Sequence, residues 1–412
     1  MVKGKDKRVN EFQAHRRKRK SKAAIAGGGV KKKKVCKNKD KQEEEEVAVL
    51  PKWHKRPESS RVPDLQLPTS SKARCHRSEA AKKNAHPKFY KMSSPVTIDS
   101  GHSVIKGMDM HSEGFISTWA QDGGIRIWRL RGTNGAMTSI CSAHLHECPQ
   151  DMEWHPDGNR LFAAFKSTGR AQVGYYDLSD DRFRLLPGEP HCTGLLRSIK
   201  FMPWQVSGAP CFATGGDDHS VVLWKESQEH WTSQKLYNSH SSFVYGVAGA
   251  AHKSLIASAS VDKHLRMVDV VSGTDYFCGK FDSSLLSVEF NPVDPNLLLL
   301  TGCVEKKQLM LMDLRYLDPE SLVHSFGWEI GENHPRVTRQ FQQCWSPDGW
   351  YVSTGSCEDG YDIFDIRYNN YLSTHSVHGT KSGVVKTQWH PVVNDLLISA
   401  IRGGRIWLQQ II

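Results

Sequence analysis

One feature constrains this chain more than any other: a short apolar strand that recurs at near-constant spacing. "GGIRIWRL" carries Trp128, "QVGYYDL" Tyr176, "SVVLWKE" Trp224, "HLRMVDV" Val268, "QLMLMDL" Met312, "YDIFDIR" Phe364 and "GGRIWLQ" Trp407. Successive anchors lie 48, 48, 44, 44, 52 and 43 residues apart, so seven copies of one unit are present. Each copy opens with an apolar run, turns on Asp and Gly (Gln121–Gly124, Gly215–Asp218, Val261–Lys263) and returns as the anchor strand. Upstream runs end in Trp-His-Pro or a similar stop (Trp154–Gly158, Asn291–Pro292, Trp345–Gly349, Trp389–Pro391), because proline ends a ladder and presets the next turn. Alternation and aromatic enrichment make these runs strands rather than helices. About four strands fit each unit, and such a unit cannot bury both faces alone, so neighbours must stack.

Charge divides the chain differently. Residues 1–40 hold sixteen Lys and Arg against three acids, whereas residues 96–412 sum to about −7. The basic residues cluster at Arg16, Arg17, Lys18, Arg19 and Lys20 and again at Lys31, Lys32, Lys33 and Lys34. With the glycines of "AGGGV" and the run "EEEE" this predicts a disordered basic tail over 1–93, ahead of a repeat domain over 94–412. Two basic clusters in an extended segment suit a nuclear import receptor, so the expected location is the nucleus or nucleolus. The same tail would bind nucleic acid through phosphate charge, without sequence choice.

Several classes are excluded as expectations. No apolar run reaches the roughly 20 residues of a membrane span, and the N-terminus lacks the apolar core of a secretory signal; no membrane partner is expected. The ten cysteines are scattered without a C-x-x-C pair and read as reduced thiols. Cys36, Cys75 and His76 lack zinc-ligand spacing, so no metal is expected. No P-loop, dinucleotide fingerprint, H-E-x-x-H or nucleophile elbow occurs, so neither enzyme nor cofactor is expected.

The repeats resemble WD repeats, which build a β-propeller. The resemblance rests on Gly101–His102, Ser239–His240 and the strand-end pairs Tyr176–Asp177, Val268–Asp269, Met312–Asp313 and Phe364–Asp365. Arg129 and Lys225 stand where two copies lack the final Asp. It implies an all-β, seven-bladed propeller whose lone first strand, within Ser94–Ser100, completes the last blade and so removes two sheet edges. It also implies that His102, Ser117 or Thr118, Asp122 and Trp128 form a buried hydrogen-bonded chain rather than a catalytic triad. Asp218, Trp224, His240, Asp262 and Asp359 take the same structural role.

Two strands end in Asp-x-Arg: Asp313–Leu314–Arg315 and Asp365–Ile366–Arg367. The stretch Val352–Arg367 resembles the motif of WD-repeat substrate receptors of cullin-4 RING ubiquitin ligases, with Phe364 in place of the commoner Trp; Leu299–Arg315 matches more loosely. The resemblance implies that Arg367, Asp365, Arg315 and Asp313 bind a partner, the arginines contacting the ligase's adaptor. The bland alternative is an exposed ion pair worth about 0–1 kcal/mol. The function expected is a non-catalytic nuclear scaffold for protein–protein interaction. It would serve as a substrate receptor, or as a chromatin or ribosome-assembly scaffold whose tail holds nucleic acid. Trp204, Trp231, Trp328 and Trp350, outside the anchors, are candidate binding aromatics or packing beneath loops. Oligomeric state is not legible.

Overall fold

The computed structural model describes residues 92–410 except 132–135, 167–171, 193, 207, 228–229, 252, 320–321, 328–341, 356–359, 368–372, 377–382 and 393–394. The chain divides into two compact units, Met1–Leu67 and Pro68–Ile412, and every described residue belongs to the second. The basic clusters of the tail, Trp328 and Asp359 therefore lie outside the described residues.

Among the described residues every regular element is a strand, and the strands form seven four-stranded antiparallel sheets. Blade 1 is Ile105–Met110, Phe115–Ala120, Gly124–Arg131 and Ala136–His144. Blade 2 is Asp151–Trp154, Arg160–Ala164, Val173–Asp177 and Arg182–Leu185. Blade 3 runs from Leu196–Phe201 through Cys211–Gly216 and Val221–Ser227 to His230–Tyr237. Blade 4 has Val244–Gly249, Leu255–Ser260, His264–Asp269 and Thr274–Lys280. Blade 5 has Leu285–Phe290, Leu297–Gly302, Leu309–Asp313 and His324–Phe326. Blade 6 has Gln343–Trp345, Tyr351–Gly355, Gly360–Asp365 and Ser373–Ser376.

Blade 7 is built from both ends of the propeller. Val384–Trp389, Leu396–Ile401 and Arg405–Gln410 take Val96–Asp99 as their fourth strand. The register pairs Val96 with Leu408 and Asp99 with Arg405. Beyond the ladder, Ser93 donates its amide to Gln410 and accepts the Gln410 amide on its hydroxyl. On the other side the Ser100 amide and hydroxyl both donate to the Gly404 carbonyl. Gly404 has φ +83°, and a Cβ there would sit 1.9 Å from the His102 carbonyl oxygen, so the closing turn requires glycine.

The apolar core lies between blades. Inward-facing residues of the strands fill the gaps, as with Phe162, Phe201, Phe212, Trp224 and Trp231 between blades 2 and 3. Trp231 stands on the fourth strand of blade 3, buried within that cluster, so it packs rather than binds. Polar ties between the first strands reinforce the gaps. The Asp109 carboxylate accepts the Trp154 amide at 2.9 Å and the Gln388 side-chain amide at 3.0 Å. Asp151 accepts the Ile199 amide, and Glu153 accepts the Phe201 amide. The Gln343 side-chain oxygen Oε1 accepts both the Ser287 and Thr301 hydroxyls. Blades 4 and 5 instead meet through Gly246, where a Cβ would come within 2.9 Å of the Ser287 backbone.

The ring thus depends on a four-residue strand. Compared with a chain beginning at Met92, one beginning at Gly101 is expected to melt lower by roughly 5 °C or more and to self-associate. Four ladder residues and the Ile98 packing are together worth several kcal/mol, and the exposed edge invites pairing. Differential scanning fluorimetry and gel filtration check this; an unchanged midpoint contradicts it.

Candidate partner-binding face

The four strand-end aspartates share one local device. Asp177, Asp269, Asp313 and Asp365 each accept the backbone amide two residues on, at 2.9, 2.9, 3.0 and 2.9 Å, from Ser179, Val271, Arg315 and Arg367. A carboxylate that satisfies the first unpaired amide after a strand sets an Asx turn. That turn works with Ser or Val at the second position, so it does not require arginine. The aspartate is therefore architectural in all four blades, and the arginine is an addition in two.

In blades 5 and 6 the same carboxylate also grips the guanidinium. Arg315 donates through Nε to Asp313 Oδ1 at 2.9 Å and through Nη2 to Oδ2 at 2.6 Å. Arg367 donates to Asp365 in the same fork, at 2.8 and 2.5 Å, and its Nη2 reaches the Tyr351 hydroxyl at 2.9 Å. Both aspartates are buried, while the arginine side chains are 53% and 36% exposed. Each fork fixes a planar cation at the surface, which lysine could not imitate. Leu314 and Ile366, between acid and base, point into the packing between blades.

Trp350 completes the patch. It sits in the turn between the first and second strands of blade 6, 46% exposed, with the Arg367 guanidinium 5.1 Å from its ring centroid. Tyr351 lies 5.4 Å from the same guanidinium. This contact places the turns after the first and third strands on one face of the disc. Arg315 and Arg367 share that face on adjacent blades. Trp204 is half-buried and packs on Cys211 and its neighbours.

The histidines and turn aspartates lie at the opposite strand ends. Blade 3 holds a complete chain: His191 Nδ1 with Asp218 at 2.8 Å, His191 Nε2 with Thr214 Oγ1 at 2.8 Å, and Trp224 Nε1 donating to that hydroxyl at 3.0 Å. In blade 1, His102 Nε2 meets Thr118 Oγ1 at 3.1 Å and the Trp128 indole donates to it at 3.4 Å. Thr118 rather than Ser117 is the centre. Asp122 accepts the Gly124 amide but makes no hydrogen bond to His102, whereas Asp218 and Asp262 hold both a turn amide and the histidine. In blade 4, His240 joins Ser258 and Asp262 at 2.8 and 2.9 Å, and the Tyr237 hydroxyl stands in for the absent tryptophan. Burial holds the His102 and His240 imidazoles below their ordinary pKa, so both are neutral at pH 7. His191, Thr214 and Tyr237 are additions to the sequence-derived set. His191 follows proline without the Gly-His or Ser-His signal, and only its spacing before Asp218 could have marked it.

Among the described residues no cluster of His, Cys, Asp and Glu could hold a metal ion. Cys141, Cys148, Cys192, Cys211, Cys278, Cys303 and Cys344 are free thiols.

The fold is a seven-bladed β-propeller, and its recurring His, Ser or Thr, Asp and Trp chain is the kind seen in WD repeats. The family described as WD domain, G-beta repeat matches residues 231–269. That span begins on the fourth strand of blade 3 and ends on the third strand of blade 4, so the sequence repeat is offset from the blade by one strand. The chain is similar to "Protein tipD" of Dictyostelium discoideum, 25% identical over 47% of this chain and 30% of that protein. It is also similar to "Eukaryotic translation initiation factor 3 subunit I" of Aspergillus terreus, 24% identical over 51% of this chain and 59% of the relative. "Protein SEC13 homolog" of Drosophila melanogaster is 30% identical over 22% of this chain and 27% of the relative. The chain thus spans less than two thirds of each of these relatives.

Asp218 provides a stability test. Burial opposes its ionisation, but hydrogen bonds from His191 and Ser220 and the nearby imidazole outweigh that and hold the carboxyl well below the usual range. A depressed folded pKa stabilises the fold above the unfolded value near 3.9 and loses that contribution as pH falls through the folded value. Asp218→Asn is expected to cost about 1–3 kcal/mol at pH 7. Its deficit against wild type should shrink as the solution is acidified below about pH 4. Urea unfolding at several pH values measures this; a deficit constant with pH contradicts it.

Proposed function

We propose that this chain docks a protein adaptor through the paired arginines of blades 5 and 6. The adaptor in view is that of a cullin-4 RING ubiquitin ligase, with the chain acting as substrate receptor. The observation that supports this most is the double use of Asp313 and Asp365. Each closes its strand without help from arginine, yet each also fixes an exposed guanidinium on the same face. A fork held rigid before binding loses little side-chain entropy on contact, and Trp350 beside Arg367 adds an aromatic anchor of the kind enriched at hot spots.

A second reading has its own support. The +13 charge of residues 1–40 and the likeness to a translation initiation factor subunit favour a chromatin or ribonucleoprotein scaffold, with the tail on nucleic acid and the acidic disc on protein. Both readings put the chain in the nucleus or nucleolus.

Arg315→Ala combined with Arg367→Ala is expected to shift stability by under about 1 kcal/mol, since both side chains are substantially exposed. Co-purification of the ligase adaptor should be lost. Retention by a folded double variant ends the adaptor reading. Partners that persist in that variant but disappear on nuclease treatment, or on deletion of residues 1–40, support the ribonucleoprotein reading instead.

A further inference from the structure

The outermost strand of each blade leaves one row of backbone amides and carbonyls unpaired, and such a row is a template for another chain. Folded proteins guard it by keeping the strand short or by placing charge on it. Six of the seven outer strands here have one guard or the other. Those of blades 2, 6 and 7 are four residues long, and that of blade 5 is three. Blade 3 carries Lys235 on His230–Tyr237, and blade 4 carries Asp275 and Lys280 on Thr274–Lys280.

Blade 1 has neither guard. Its outer strand, Ala136–His144, has nine residues and is the longest strand among the described residues. Its sequence, AMTSICSAH, holds no Asp, Glu, Lys, Arg or Pro. Ile140, the middle residue, is 46% exposed. The strand pairs inward with Gly124–Arg131. Outside that ladder none of its backbone groups bonds to another backbone group among the described residues. Leu145, just past its end, donates to the Gly123 carbonyl at 2.9 Å. Alternation from that inward amide turns the Ser142 and His144 backbone outward.

A bulge interrupts the ladder at Ile140, since Ile127 faces Cys141 while Trp128 faces Ser139. Blades 3 and 4 have a bulge in the same pair of strands, so the bulge does not set blade 1 apart. It does divide the strand evenly. Ala136–Ser139 and Cys141–His144 are regular runs of four residues on either side of Ile140.

This layout selects the partner. In an antiparallel pair with its own copy, each run of four meets the other run of the copy, and the two Ile140 side chains come together at the centre. No like charges are opposed, because the strand has none to oppose. A contact made by the same patch on both copies closes after two of them. We infer that Ala136–His144 is a dimerisation edge, pairing antiparallel with the same strand of a second copy across a two-fold axis beside Ile140. Two four-stranded sheets then become one of eight. Arg315 and Arg367 lie on blades 5 and 6, so the dimer stands apart from adaptor docking.

The full chain is treated with nuclease and reductant, so that neither nucleic acid nor a disulfide links copies, and its mass is followed by light scattering after gel filtration. One pair of strands is a small contact, so the mass is expected to double between about 1 and 100 µM chain. Ile140→Lys and Ile140→Glu should each stay monomeric at about 100 µM, because each sets like charges against one another across the axis. Their melting midpoints should stay within about 2 °C of wild type, since the side chain is exposed. A one-to-one mixture of the two variants should dimerise, Lys against Glu. Ser142→Lys, also at an exposed position, repeats the charge test where an Ile140 variant fails to fold. A wild-type chain that stays monomeric at about 100 µM overturns the inference. So does a folded lysine variant that still dimerises, because the contact then lies elsewhere, and so does a mixture that stays monomeric. The Arg315→Ala, Arg367→Ala variant should dimerise as wild type does, and loss there also overturns it.

Discussion

Everything described depends on the pairing of Val96–Asp99 with Arg405–Gln410. A stack of six four-stranded sheets and one three-stranded sheet would leave a long ladder edge and two uncovered end blades. Borrowing the missing strand from the start of the propeller joins its ends, so opening the ring must break a sheet rather than separate two packed surfaces. The axial channel exists only because the ring closes, and so does the common face on which Arg315 and Arg367 sit.

Within the ring, polar residues divide the labour by position along the strand. At one end, His191, Thr214, Asp218 and Trp224 tie turns to the strands beneath them. In mid-channel, Asp109, Asp151 and Glu153 cap amides of the next blade. Burying these carboxylates without partners would cost several kcal/mol each, and the neighbour's unpaired backbone amides are what make them tolerable. At the other end, the strand-end aspartates close turns and, in two blades, hold arginines. Glu289 stands out because it lies within the same belt and caps nothing.

Much of this was legible beforehand. The spacing of Trp128, Tyr176, Trp224, Val268, Met312, Phe364 and Trp407 carried the unit count, because each copy must repeat its buried face. The lone strand before His102 carried the closure. The chain through Asp122 was legible only in part: Asp218 and Asp262 bond both the histidine and a turn amide, whereas Asp122 bonds only the turn amide, a difference in distance across the blade that the sequence does not carry. Trp231 was misplaced among loop aromatics because its strand "HWTSQKLY" alternates weakly and is mostly exposed, so its one buried ring leaves no periodic trace. Tyr237 escaped notice because it replaces a tryptophan from a different strand.

By itself the sequence determined the unit, its repetition and the residues that end each strand, since these rest on alternation, turn chemistry and spacing along one chain. It also placed an Asp and an Arg two residues apart at two strand ends. Only the tertiary structure decided which acids would find amides and which would not. Asp109 and Glu289 both lie on first strands, yet Asp109 finds a backbone amide of the adjoining blade and Glu289 does not. That depends on the stagger between wedges, a relation between residues about fifty apart that no local pattern encodes.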